Sequence, residues 1–258
     1  GIFDARFVGL THFNKFFNDV SGVSMRIFRN TVCINLWQMV LGMIIPCAFA
    51  LFLNEVNSTR FKRLIQTVTF FPVFLSPVVI YSIAYNFFSS NSGVLNRFLL
   101  NVGVITRSIN FMGDPEWSWP LIIGLNLWKG FGYSSVIYLA AITGIDQEQY
   151  EAAKIDGAGR FACMRHITLP GLLPTIVTLL ILNVGGLVGG DFSTMYMFTN
   201  QLNRETMEVF STFVYRMGLQ NLRFSYATAA NLVLSIIGLS LTLGSNALSR
   251  RVNGRSIF

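Results

Sequence analysis

EAAKIDGAGRFACMRHITLP, residues 151–170, is a polar stretch set between two long apolar stretches of a chain otherwise suited to lipid. Its local chemistry predicts two short helices joined by a turn. Asp146 is placed to cap the first helix, and Gln149, three positions later, completes a capping-box pattern. Ala152 and Ala153 keep the middle of that helix slim, so a partner surface can approach closely. Glu148 and Glu151 lie in its first turns, where negative charge suits the positive helix end. Gly157 is free to take positive φ, which lets the chain leave one helix and begin another. The second helix is expected over roughly Gly159 to His166, carrying Arg160, Arg165 and His166. Thr168, Leu169 and Pro170 are expected to end it, because a residue before proline is pushed out of helical geometry. The product is a rigid knuckle held on two membrane helices.

The letters also have a fixed spacing: Glu151-Ala152-Ala153, three residues, Gly157, nine residues, then Ile167-Thr168-Leu169-Pro170. This resembles the EAA loop (EAA, three residues, G, nine residues, I-x-L-P) of the transmembrane subunits of binding-protein-dependent ABC importers. The resemblance continues in FVGLTHF at 7–13, in Asn54-Glu55-Val56 followed by Arg60-Phe61-Lys62-Arg63, in INFMGDPEW at 109–117, in IYLAAITGIDQEQYEAA at 137–153 and in FSYATAANL at 224–232. These phrases look like the carbohydrate-uptake branch, of the type serving oligosaccharides or polysaccharide fragments.

Several expectations follow from that resemblance. The fold class is an all-α integral membrane protein, a polytopic helix bundle forming a single permease domain over residues 1–258, with 142–170 as a cytoplasmic coupling loop. The resemblance assigns Glu151, Ala152, Ala153, Gly157, Ile167, Leu169 and Pro170 to ATPase coupling, with Glu151 contacting the ATPase groove, Gly157 holding the turn and Pro170 fixing the exit. The implied partners are a second, related permease chain in a heterodimer, two ATPase subunits and a solute-binding protein. ATP and magnesium belong to the ATPase, and this chain carries no cofactor. The implied location is the bacterial inner membrane, multi-pass, and the implied cargo is an oligosaccharide, neutral or acidic, moved by alternating access.

Composition agrees with the solvent. Hydrophobic residues make up 52%, charged residues 12%, and mean hydropathy is +0.53, which places the chain among integral membrane proteins. Runs of about 20 apolar residues, the length that crosses a bilayer, predict five spans over roughly 28–53, 64–88, 119–141, 171–190 and 225–248. Pro46, Pro72 and Pro77 are expected to bend or locally unwind the first two. The resemblance also aligns the opening with the segment that follows the family's first spanning helix, so a sixth span and a cytoplasmic N-terminus are expected to precede Gly1. Cys33, Cys47 and Cys163 have neither pairing nor metal-ligand spacing, and no metal site is expected.

Orientation follows from the basic residues. Connections 54–63 and 142–170 and the tail share nine positive charges: Arg60, Lys62, Arg63, Lys154, Arg160, Arg165, Arg250, Arg251 and Arg255. The opposite side spreads nine over about twice the length, so the positive-inside rule places the first group in the cytoplasm. The net charge of +7 is therefore mostly topology, and its scatter beside membrane ends gives no footprint for nucleic acid.

Polar groups stranded in apolar segments mark a substrate path, because such groups are costly in lipid and face the bundle interior or a wet cavity. In the third span these are Asn126, Trp128, Lys129 and Tyr133; the alternative for Lys129 is snorkelling or pairing with a neighbouring subunit. The fourth span ends as Asn183-Val-Gly-Gly-Leu-Val-Gly-Gly-Asp191, and each glycine weakens a helix by about 1 kcal/mol relative to alanine. Unwinding there makes Asn183, Asp191 and Tyr196 candidates for cavity or gate, while close helix packing is the competing use of the glycines. Asn35, Trp37 and Gln38 form a weaker cluster that suits helix-to-helix hydrogen bonds, and Asn231 is weaker still. On the outer side, 89–118 and 191–224 are long connections suited to a delivery protein, Trp117 and Trp119 read as interfacial anchors, and Phe210 to Met217 is expected to be a short helix.

No catalytic residue is predicted. The chain has no glycine loop ending in GK[ST], no HExxH and no GxSxG, and its two histidines, His12 and His166, are far apart in the topology. A secondary carrier or channel would instead show an internal inverted repeat and carboxylates inside its spans. Neither pattern is present in the sequence.

Overall fold

The computed structural model describes the backbone of residues 8–19 and 21–253, with side chains as far as 247. Phe7 of the FVGLTHF phrase and the side chains of Arg250, Arg251 and Arg255 lie outside the described residues. Every regular element among the described residues is a helix or a helical turn.

The chain opens with α1 (Thr11–Phe17) and enters α2 (Val23–Asn54) through a cap built on Asp19. The Asp19 carboxylate accepts the N–H groups of Ser21 at 3.1 Å, Val23 at 3.0 Å and Ser24 at 3.3 Å, and the Ser21 hydroxyl at 2.6 Å. Those bonds, the hydroxyl first, hold its pKa below the ordinary carboxylate value. Of the bend or unwinding expected at Pro46, the unwinding does not occur: α2 stays helical through it for 32 residues. Proline there removes one backbone bond, while Cys47, Ala50 and Leu53 just beyond it are packed into a core and hold the helix line.

The expected span 64–88 is two helices. α3 (Thr59–Phe70) starts on the Ser58 hydroxyl, a 3-10 turn covers Phe71–Phe74, and α4 (Pro77–Phe88) restarts with proline in its first turn. The break falls where Pro72 and Pro77 were expected to place it. Connection 89–118 contains α5 (Val94–Asn101), organised by the buried Asn96, whose amide bonds Ser89 O at 3.0 Å and both backbone groups of Ile109 at 2.9 Å. Next come α6 (Pro115–Thr143), α7 (Gln147–Ile155), α8 (Arg160–Cys163) and α9 (Leu169–Gly185). The outer connection 191–224 holds α10 (Phe192–Phe198), α11 (Arg204–Met207), α12 (Phe210–Tyr215) and a π-turn over Arg216–Gln220. The expected short helix at 210–217 is thus α12 and its π-turn. The chain closes with α13 (Phe224–Asn253).

Among the described residues three stretches are long and apolar enough to cross a membrane: Val23–Asn54, Arg160–Gly185 and Phe224–Ala247. Thr59–Phe74 with Pro77–Phe88 is a fourth when its two halves are taken together. α6 has the length, at 29 residues, but Asn126, Lys129 and its serines dilute its apolar character. The helices therefore stand at all five expected places, and two of the five depart from a simple apolar rod.

The chain forms two compact units. One comprises Gly1–Asn35, Pro77–Ile122 and Gly185–Gly244; the other comprises Leu36–Ser76, Ile123–Val184 and Ser245–Phe258. The first contains the connections assigned to the outside, and the second those assigned to the cytoplasm. In the first, Phe16, Ile27, Phe210, Phe213, Ala230 and Val233 form the core. In the second, Cys47, Ala50, Leu53, Tyr138, Leu139, Ile142 and Leu172 do so. Lipid tails are as apolar as these side chains, so close packing rather than escape from water must hold such helices together. Gly132 shows how close: a Cβ there would lie 2.0 Å from Thr69 O, so α3 and α6 meet backbone to backbone.

Candidate coupling loop and transport path

The knuckle is capped at both ends of α7. Asp146 Oδ1 accepts the Glu148 N–H at 3.0 Å, and the reciprocal bond from Gln149 that a capping box needs is not made. At the other end Gly157 takes φ +81°. The N–H of Ala158 reaches Ala153 O at 2.8 Å and the N–H of Gly157 reaches Lys154 O at 3.1 Å, the two bonds of a Schellman motif. A side chain at 157 would meet open space, so glycine is required there for its backbone conformation alone.

The second arm differs from expectation. It does not end at Thr168-Leu169-Pro170: α8 passes through a π-turn, Met164–Thr168, into α9, a continuous helical run from Arg160 to Gly185. Proline explains the turn. Pro170 has no N–H to give, and the wider ring lets the Leu169 N–H bond back to Met164 O while the Thr168 hydroxyl reaches Cys163 O at 3.4 Å. Pro170 lies directly after this wider turn, which absorbs the bond its missing N–H cannot make. Thr168 is buried, and its hydroxyl also meets Tyr150 OH at 2.9 Å, which ties the two arms together.

The residues singled out from the motif divide by exposure. Glu151, Ala152, Gly157, Leu169 and Pro170 are exposed; Ala153 and Ile167 are half-buried. Between them stand two bulky apolar side chains, Ile155 at 86% and Phe161 at 72% exposure. Sequence reasoning passed over both, although a large apolar residue inside a polar loop was visible as a signal. Isolated exposed apolar side chains are ordinary, but a pair on one rigid loop suits a partner surface. On the same unit a cavity of about 550 Å³ is lined by Asn54, Glu55, Tyr150, Lys154, Arg160 and Cys163, among others.

The polar groups inside the spans separate as well. In the second unit a cavity of about 200 Å³ brings Asn126 together with Gln38, Gly42, Pro46, Gly130 and Ser134. Gln38 Nε2 is buried there with no hydrogen-bond partner. Pro46 cannot supply the N–H that the Gly42 carbonyl would normally accept, so the wall holds an unpaired donor and a freed acceptor and carries no charge. Trp128, Lys129 and Tyr133 do not line this cavity. Trp128 and Tyr133 are exposed, the latter with its ring 5.7 Å from that of Phe70, and Lys129 makes no ion pair among the described residues. The Asn183 amide is turned back onto its own helix, to Leu179 O at 2.9 Å.

In the first unit the glycine-rich end of the fourth span both packs closely and unwinds. A Cβ at Gly185 would stand 2.9 Å from Thr242 Oγ1, so that residue permits close packing. Beyond it the helix unwinds, Gly190 takes φ +79°, and the buried Asn35 donates to the freed Leu187 carbonyl at 2.7 Å. Asp191 caps α10, accepting the N–H groups of Ser193 at 3.0 Å and Thr194 at 3.3 Å and the Thr194 hydroxyl, so its oxygens are already engaged. Tyr196 belongs to an aromatic group, with ring centroids 5.5 Å from Phe192 and 5.0 Å from Tyr215. The Trp119 indole N–H reaches Thr206 O at 2.7 Å.

Comparison with known proteins places this geometry. Residues 42–254 match the family described as the binding-protein-dependent transport system inner membrane component. The chain is 37% identical, over its full length and 80% of the relative, to Protein LplB of Bacillus subtilis (strain 168). It is likewise 37% identical, over its full length and 79% of the relative, to the polygalacturonan/rhamnogalacturonan transport system permease protein YteP of the same organism. Among solved structures, a bacterial ABC transporter involved in the import of the acidic polysaccharide alginate superposes with a TM-score of 0.91 at 34% identity, covering 97% of this chain and 86% of that one. The chain therefore belongs to the binding-protein-dependent transport system inner membrane components, as a multi-pass permease of the ABC sugar-transporter type in the inner membrane.

Proposed function

We propose that this permease is one membrane half of an ATP-driven importer that takes up an acidic oligosaccharide handed over by a solute-binding protein. ATP and magnesium are bound by two partner ATPase subunits, and the chain performs no bond chemistry of its own. A second, related permease completes the bundle as a heterodimer. The loop 142–170 is the coupling element, with Glu151, Ala152 and Ala153 in contact with the ATPase and Ile155 and Phe161 as its apolar anchors. One observation carries this reading: an exposed, capped knuckle is rooted in a 26-residue helical run, so a push on the loop is transmitted along a stiff lever.

Along the path, Asn126, Gln38 and the Gly42 carbonyl offer neutral donors and acceptors suited to sugar hydroxyl groups. Lys129 supplies the counter-charge for a carboxylate, and Trp128, Tyr133, Asn183 and Tyr196 remain candidates along the route, whereas Asp191 is committed to capping α10. The acidic class is supported by the names of similar proteins, one a polygalacturonan transporter and another an importer of alginate. The experiment is reconstitution of the full complex in proteoliposomes with ATP inside, adding binding protein loaded with uronate or with neutral oligosaccharides. Uptake and ATP hydrolysis stimulated by the uronate form are expected. Uptake without the ATPase, or stimulation by neutral sugars alone, would overturn the corresponding part.

A further inference from the structure

In the first unit the opening turns of α2 and the segment 204–216 enclose a cavity of about 240 Å³ whose charged and polar lining is Arg26, Asn30, Arg204, Glu205, Glu208 and Arg216. Its floor is stiff. Asn30, 1% exposed, donates from Nδ2 to Glu205 O at 2.9 Å and Glu208 O at 3.1 Å, and the Thr31 hydroxyl accepts the Phe210 N–H at 3.1 Å. The connection is thereby clamped onto α2 before any partner arrives.

The three arginines are not equivalent. Arg216 holds the buried Glu208 in a two-pronged pair, Nε to Oε1 at 2.6 Å and Nη2 to Oε2 at 2.9 Å, with its guanidinium also 5.6 Å from the Phe213 ring. That pair is committed to the fold. Arg26 meets Glu205 through one contact at 2.8 Å, and the Glu205 side chain is 75% exposed, so the pair is exchangeable and of little net worth. Arg204 is exposed and makes no ion pair among the described residues. An incoming carboxylate thus finds one free guanidinium and a second whose present partner is easily displaced.

We propose, resting on the importer reading, that this pocket receives an aspartate or glutamate side chain of the solute-binding protein and fixes the register in which that protein docks. Charge favours a protein side chain: one free guanidinium, Arg204, and one exchangeable guanidinium, Arg26, face a cavity of about 240 Å³ and together suit a single carboxylate. Position agrees, because Arg204 and Arg216 belong to the connection 191–224, which the importer reading turns toward the delivery protein.

The test uses the complete importer in nanodiscs and measures the Kd of loaded binding protein at low and at high salt. Arg204→Glu is expected to raise Kd about tenfold at low salt, with the loss shrinking as salt screens the pair. Arg204→Lys is expected to keep most of the affinity. Reversing one acidic residue of the binding protein to lysine is expected to restore binding to Arg204→Glu. Co-elution of each variant with its ATPase subunits reports that it has folded, and Arg204→Gln serves if the reversal fails that check. Unchanged affinity in the reversed variant overturns the pocket, as does Arg204-dependent binding of free uronate oligosaccharide without any delivery protein. If the unmodified importer itself ignores loaded binding protein, the importer reading fails instead.

Discussion

Gly157 carries the knuckle because its backbone sits where side-chain-bearing residues rarely go, at φ +81°, while its N–H is spent on Lys154 O. Gly157→Pro contradicts both facts at once, since proline holds φ near −65° and has no N–H. It is expected to leave membrane insertion intact and abolish ATP-dependent uptake in proteoliposomes. Glu151→Lys is expected to do the same through charge reversal on the exposed face. Gln38 makes a different kind of claim. Removing its unpaired buried amide with Gln38→Leu is expected to leave thermal stability equal or higher, yet raise the KM for oligosaccharide about three- to tenfold; an unchanged KM would take Gln38 off the path. Legibility at this scale followed the physics. The role of Gly157 could be read because few residues adopt that conformation. Gln38 could not, because one amide on an apolar helix looks like any helix-to-helix bond until a cavity with no partner stands beside it. Asp191 looked like a gate carboxylate, and only the geometry shows its oxygens engaged at the start of α10.

Elements were misread where proline was given too much authority. Pro170 was expected to stop a helix and instead sits just beyond a π-turn inside one, and Pro46 leaves α2 unbroken. Sequence alone says that a residue before proline avoids helical geometry, but it does not say that a wider turn can absorb the missing bond. The break at Pro72 and Pro77 was legible because two prolines five residues apart leave little room for repair. The start of α2 gives a pH prediction. Asp19 has a depressed pKa in the folded protein, so its cap contributes fully above the unfolded value of 3.8 and is lost as pH falls through the lower folded value. Proteolysis at the α1–α2 junction is expected to quicken in that acid window for the native chain. Asp19→Asn is expected to show a weakened junction already at neutral pH, with little further change on acidification.

Across the whole molecule, hydropathy located five membrane-depth segments, and the structure places helices at each. It could not tell a straight rod from the broken pair 59–88, because apolar runs report solvent and not path. α6 was legible as a span only with its polar residues forgiven, and those residues are where Asn126 meets the Gln38 cavity. Charge asymmetry separated the two sides, and the connections assigned to each side fall in different compact units. If the knuckle engages an ATPase, its exposed apolar side chains must touch that subunit. A photo-crosslinking residue in place of Ile155, in the complete reconstituted importer, tests it most directly. Nucleotide-dependent capture of an ATPase subunit is expected; label found only on lipid or on this chain, while uptake proceeds normally, would show that the knuckle does not engage the ATPase.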